Sequence, residues 1–234
     1  MGRAEQAAWL AIAAEEKAAT VINLAPTDVR TVVDIGAGSG AVLTELDRKA
    51  FAERYWACEP SDLLLEISAG ISRLVDTSQT TFSEAFSGVS FDLAILSHVV
   101  EHLVTPAVLI AQALERARYV VVEVPIEANV AGNLRRRLKQ VRGDASRPHA
   151  AGHVQFFSRR RARLLVEYAG GEVISDLGYF PVAPYRAHGA RFYHRVVLAG
   201  HRIGLARHYY EHYGMLIRRR STEDWSHDHY YAPA

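Results

Sequence analysis

The sequence predicts an α/β domain built on a mostly parallel sheet. Three observations carry this. Short apolar runs alternate with stretches of helical spacing, so strands and helices take turns along the chain. The run Tyr119-Val120-Val121-Val122-Glu123-Val124 is apolar almost throughout, as in a central strand buried on both faces. Gly36, Gly38 and Gly40 stand between the first strand and the first helix, where the chain must turn sharply.

Taken in order, residues 3–23 read as an alanine-rich helix with Trp9, Ile12 and Leu10 on its apolar side, ended by Pro26. Residues 31–35 form the first strand and 41–49 the first helix. A second strand, 55–58, ends in Glu59, and Pro60-Ser61 opens a helix over 62–72. The third strand is weakly marked and falls at 77–82. The fourth, 91–98, is followed by a helix that Pro106 starts and that runs on through 109–117. The fifth strand, 119–124, is stopped by Pro125. Five strands with intervening crossovers imply parallel pairing. Residues 126–157 break the pattern with a basic amphipathic stretch, 134–142, and a loop. Ser158 then caps a helix over 159–169, which Gly170-Gly171 closes. A sixth strand spans 172–180, and a proline-rich turn and helix fill 181–207. A last strand covers 209–218, before a polar, aromatic tail at 221–234.

About half the chain, 49%, is apolar, enough for one large domain over 1–234 with a sizeable core. Residues 1–25 form its N-terminal helix. The single cysteine, Cys58, excludes an internal disulfide and a cysteine-rich zinc site, and reads as a small buried hydrophobe. Arg3, Glu5, Glu15, Glu16 and Lys17 make the N-terminus neither a signal peptide nor a membrane span. A cytoplasmic protein with no membrane partner is expected. The net charge of +1 hides an asymmetry: residues 1–117 hold 8 basic and 16 acidic side chains, the remainder 19 and 10.

The glycine turn and the free amides at the new helix's start suit a nucleotide-like ligand. A dinucleotide fits Gly36-x-Gly38-x-x-Ala41; S-adenosylmethionine fits as well, and a turn that only packs a helix onto a strand is the plain alternative. Glu59, 19 residues after Gly40, is placed as a carboxylate that accepts from both hydroxyls of a ribose.

Asp34-x-Gly36-x-Gly38-x-Gly40 resembles the first motif of the class I S-adenosylmethionine-dependent methyltransferases, small-molecule type. Glu59 matches that family's second motif. The run FDLAILSHVVEHL, residues 91–103, and the segments GHVQFFS and LLVEYAGGEVI, within 152–174, extend the resemblance over residues 31–180. It implies a Rossmann-like sheet of seven strands, mostly parallel, with helices on both faces and an antiparallel last strand at the sheet edge. It also implies an N-terminal helix that is either a lid over the cofactor or packed on the sheet. Residues 126–157 and 181–207 become substrate-side insertions.

For the site, the resemblance implies S-adenosylmethionine as cofactor. Asp34, Gly36, Ala37, Gly38 and Gly40 would shape its methionine end. Glu59 and Pro60 would take the ribose. Relatives place an aspartate near adenine, and here only Gln79 or Thr80 stands there, with Glu84 a further candidate. Ser97 and His98 would line the sulfonium side. His98 and His153 are the candidate catalytic bases, since histidine titrates near working pH. Glu101 and His102 read as helix-start or packing residues. No metal is expected, His227-Asp228-His229 being a solvated tail. The acceptor is a small molecule, aromatic or anionic, given the basic, tyrosine-rich second half; a homodimer is the other partner. Three competing functions are a nucleic-acid methyltransferase, an NAD-dependent oxidoreductase and a non-catalytic cofactor-binding protein.

Overall fold

The computed structural model describes residues 3–64, 70–126, 152–181, 199 and 211–221, with backbone alone for 3–11. The basic stretch 134–142, the expected helix at 190–206, the tail and residues 65–69 of the expected helix at 62–72 lie outside them.

In chain order the elements are α1 (Arg3–Leu24), β1 (Thr31–Ile35), α2 (Ala41–Arg48), β2 (Arg54–Cys58), β3 (Leu74–Ser78), β4 (Phe91–Ser97), α3 (Pro106–Arg116), β5 (Ala117–Pro125), α4 (Arg159–Tyr168), β6 (Gly171–Tyr179) and β7 (His212–Arg219). The strands form one seven-stranded sheet in the order β3-β2-β1-β4-β5-β7-β6. Pairing is parallel from β3 through β5, and β7 runs antiparallel to both of its neighbours.

Side chains alternate across the sheet and feed two cores. Val33, Ala94, Leu96, Val120 and Val122 pack on one side with Ile110 and Leu114 of α3 and Val166 of α4. Val32, Leu93, Ile95 and Val121 pack on the other with Val21 of α1 and Leu43 and Leu46 of α2. Burial on both faces is why the central strands are apolar throughout. Asp92 fastens β1 to the start of β4, accepting from Arg30 N, Thr31 N and Thr31 Oγ1 at 2.9–3.0 Å.

Two strands depart from expectation. The antiparallel last strand is not at the sheet edge: β7 lies between β5 and β6, and β6 is the edge. Tyr213, Met215, Leu216 and Ile217 of β7 are buried, whereas Ile174 of β6 is 46% exposed. The more apolar strand takes the inner place. The third strand lies at Leu74–Ser78 and not at 77–82, because it is an edge strand whose Val75, Asp76 and Thr77 face solvent and leave no apolar alternation to read. The helix α1 packs against α2, β6 and β7 through Ala13, Ala14, Ala18, Val21 and Leu24. Among the described residues no helix is long and apolar enough to cross a membrane.

Candidate active site

The carboxyl ends of β1, β2, β4 and β5 open onto one edge of the sheet, where parallel α/β sheets bind ligands. Gly36, Gly38 and Gly40 form the turn after β1 with φ of 76°, 56° and 71°, the left-handed region that glycine enters without strain. At Gly36 there is also no space: a Cβ would lie 2.5 Å from Val99 Cγ2. The turn is held by Gly36 N donating to Cys58 O at 2.7 Å. Gly38 N donates to Glu59 Oε2 at 3.0 Å, and Ser61 N to Glu59 Oε1 at 2.9 Å. Each oxygen of Glu59 keeps a further lone pair for a diol.

Two hollows meet at this turn. A small one of about 90 Å³ is lined by Lys17, Asp34, Ala37, Ser97 and His98. A large cleft of about 580 Å³ runs past Glu59, Pro60, Thr81, Phe82, His102 and Val108. Gly36, Gly38 and His98 line both. The small end is charged and deep. Lys17 and Asp34 are both buried, and burial pushes the Asp34 carboxyl up to about 7, with Lys17 opposing and Glu59 adding to the shift. The large end is apolar, floored by Phe82 and flanked by Cys58. Burial drives the Cys58 thiol up to about 12, so it is an inert hydrophobe there.

Behind the turn lies a buried network. His98 has φ of 59°, a strained value for a residue with a Cβ, and its amide is fixed by Glu123 O at 3.0 Å. Its Nδ1 is 3.1 Å from Glu101 Oε1, and its Nε2 is 3.1 Å from His212 Nδ1 and 3.6 Å from Glu123 Oε1. Ser97 Oγ donates to Glu123 Oε2 at 2.9 Å, and Tyr179 OH donates to Glu123 Oε1. Both glutamates are fully buried. Burial and Lys17 disfavour charge on His98, but Glu101 and Glu123 outweigh them and raise its pKa. For His212 burial and then His98 win, and its pKa falls to about 4. Burial works against the Glu123 carboxylate, yet the two imidazoles hold it well below the usual range.

The structure thus gathers Asp34, Gly36, Ala37, Gly38, Glu59, Pro60, Ser97 and His98 around the two hollows, with Gly40 as the cap of α2. Gln79 and Thr80 stand outside the cleft lining: Gln79 Nε2 reaches Asp62, and Thr80 accepts Cys58 Sγ–H through its carbonyl. The wall there is Thr81 and Phe82. Glu84 accepts from Thr81 Oγ1 at 3.1 Å. His153 stacks edge-on against His102, with ring centroids 4.9 Å apart. Sequence reasoning did not single out Lys17, Glu123, Tyr179 or His212. For Glu123, Tyr179 and His212 the signal is a polar side chain inside an apolar run or at a strand end; Lys17 follows Glu15 and Glu16 in α1 and carries no such signal.

The methyltransferase domain family matches residues 9–176, more than two thirds of the chain. The chain belongs to that family. This methyltransferase uses S-adenosylmethionine as its cofactor. No curated protein matches it in sequence. Among solved structures it resembles a SAM-dependent methyltransferase from Archaeoglobus fulgidus, with 14% identity over 88% of this chain and 92% of that one and a TM-score of 0.57. It also resembles magnesium protoporphyrin IX methyltransferase from Synechocystis PCC 6803, solved with bound SAH, at 13% identity, 91% and 84% coverage and a TM-score of 0.58. The cyclase SpnF is similar too, at 14% identity, 88% and 81% coverage and a TM-score of 0.59. At these identities the likeness is one of fold.

Proposed function

We propose that this methyltransferase transfers the methyl group to a small-molecule acceptor that is aromatic or anionic. One observation carries the reading: a single slot, charged at one end and apolar at the other, passes over the glycine turn and beneath His98. Its proportions suit a cofactor with an amino-acid end and a nucleoside end. Asp34 and Lys17 would face the ammonium and carboxylate of the amino-acid end. Gly36, Ala37, Gly38 and Gly40 would let the backbone approach it, with Ser97 and His98 opposite. Glu59 and Pro60 would hold the ribose, and adenine would lie toward Thr81 and Phe82, with Gln79 and Thr80 behind them.

When bound, the cofactor supplies an already activated methyl group. The chain's own task is alignment and exclusion of water, which accounts for much of such a rate enhancement. The His98 ring lies between the Glu101 carboxylate and His212, at the junction of the two hollows. His98, at the junction of the hollows, and His153, packed on His102, would face the acceptor side. Exposed Val104 and Val108 at the rim offer an apolar approach to a flat acceptor.

The pairing of Arg159, Arg163 and Arg218 within the fold favours a small acceptor over a nucleic acid. Arg159 and Arg163 bond to Asp176 and Tyr213, and Arg218 bonds to Glu172, so these guanidinium groups have partners within the fold.

Calorimetric titration with S-adenosylhomocysteine and with NAD tests the cofactor assignment. Tight binding of the former alone is expected. A mass-spectrometric screen of aromatic and phosphorylated metabolites, run beside total RNA, tests the acceptor. Methyl incorporation into RNA alone would overturn the small-molecule reading.

A further inference from the structure

We propose that Glu101, His102 and His153 form a divalent-cation site at the mouth of the cleft, placed to hold an oxygen atom of the acceptor. This rests on the reading of the cleft given above and departs from the sequence-based expectation of no metal.

The first observation is Glu101. It sits on the 3₁₀ turn Val100–His102 and is fully buried, yet neither carboxylate oxygen has an aligned hydrogen-bond donor. His98 Nδ1 is 3.1 Å away, an ion-pair distance without hydrogen-bond geometry. A buried carboxylate lacking aligned donors is costly, and a cation satisfies it.

The second is how His153 arrives. Val154 N and Gln155 N both donate to the Glu101 carbonyl, at 2.9 and 3.0 Å, and Gln155 Nε2 approaches Leu103 O and Val104 O at 3.4 Å. The backbone is therefore fastened directly beside the turn. His102 and His153 then stand ring to ring, and one ligand atom from each of the three side chains lies within 4.8 Å of the others. His102 is exposed on the cleft wall. Modest ring movement would close the set to the spacing of about 3.3 Å that ligand bonds of about 2.1 Å require. Gly152 O, 3.4 Å from His102 Nδ1, is the outer contact that steadies that ring.

A second histidine–carboxylate group exists, His98, Glu123 and His212. Its carboxylate already accepts from Ser97 and Tyr179, so it is satisfied from within the fold. The Glu101 group is the one left incomplete, and its His102 lines the cleft. Two imidazoles and one carboxylate with coordination positions to spare suit a first-row divalent ion such as zinc or manganese. An ion there would bind an acceptor oxygen and ease loss of its proton to solvent, the electron pair staying on oxygen.

The test uses the full chain after chelator treatment, titrated with Co²⁺ while its visible absorption is followed, with Zn²⁺ as competitor and S-adenosylhomocysteine binding measured in parallel. One Co²⁺ per chain, displaced by Zn²⁺, is expected. His102→Gln and His153→Gln should each weaken Co²⁺ binding at least about tenfold while retaining the thermal melt and S-adenosylhomocysteine binding of the parent. A protein that binds S-adenosylhomocysteine but shows no Co²⁺ spectrum at millimolar metal overturns the site and leaves the cofactor reading standing. So does Co²⁺ binding that is unchanged in both variants. Metal binding without S-adenosylhomocysteine binding would instead sink the cofactor reading alone.

Discussion

Gly38 and Glu59 are joined directly: the Gly38 amide donates to Glu59 Oε2 at 3.0 Å. The turn after β1 and the acid after β2 are thus one unit, and a change in Glu59 should disturb both. Glu59→Ala should weaken S-adenosylhomocysteine binding by about 1.5–3 kcal/mol, the worth of hydrogen bonds to a charged group. Glu59→Gln should fall between, since its one carbonyl oxygen cannot serve the turn, Ser61 and a ribose together. Equal affinity for all three proteins in calorimetry would show that Glu59 does not touch the cofactor.

Gly36→Ala should destabilise the fold by about 1–3 kcal/mol, from overpacking and from a positive φ. The new methyl group would meet Val99 Cγ2. Urea unfolding measures the loss. Adding Val99→Ala should recover the steric part and leave the backbone part. If the double variant is no more stable than the single one, contact with Val99 is not the cause.

Asp34 should make stability fall as pH rises. Its folded-state pKa is about 7 against the ordinary 3.8, so between those values the folded chain binds the proton and the unfolded chain does not. Stability therefore declines across that window and levels off above it. Asp34→Asn should flatten the decline in melts from pH 4 to 8. A cofactor ammonium beside Asp34 would reverse the preference, so binding at pH 6 should release protons. Calorimetry in two buffers of different ionisation heat detects this, and equal apparent enthalpies would refute it.

Arg116 should govern the apolar end of the cleft from outside it. Its guanidinium donates to Phe82 O at 2.9 Å, to Ala85 O at 2.8 Å and to Phe86 O, and lies 4.4 Å from the Phe82 ring centre. Arg116→Met should cost about 2–4 kcal/mol, because several half-buried carbonyls lose a charged donor. Hydrogen exchange should quicken over residues 82–89, and S-adenosylhomocysteine should bind more weakly. Unaltered exchange in that loop would rule this out.

What could be read in advance was whatever the chain encodes locally. The glycine spacing, the acid at 59 and the apolar runs of β1, β4 and β5 are properties of consecutive residues, and each lies where expected. Ser158 likewise caps α4, accepting from Arg161 N. What stayed hidden depends on distant segments meeting. His212 and Tyr179 join Glu123 only because β7 enters the sheet beside β5, which no periodicity announces. Likewise Glu101 resembled a helix-start acid, and its burial becomes visible only once residues 153–155 cover it.

The place of β7 has a consequence for biosynthesis. A ribosome builds the chain from the amino terminus, yet β5 and β6 cannot be bridged until residues as late as Arg219 have emerged. Translation must therefore run through the last described strand before the sheet can close, leaving the nascent β5 and β6 edges to be shielded meanwhile.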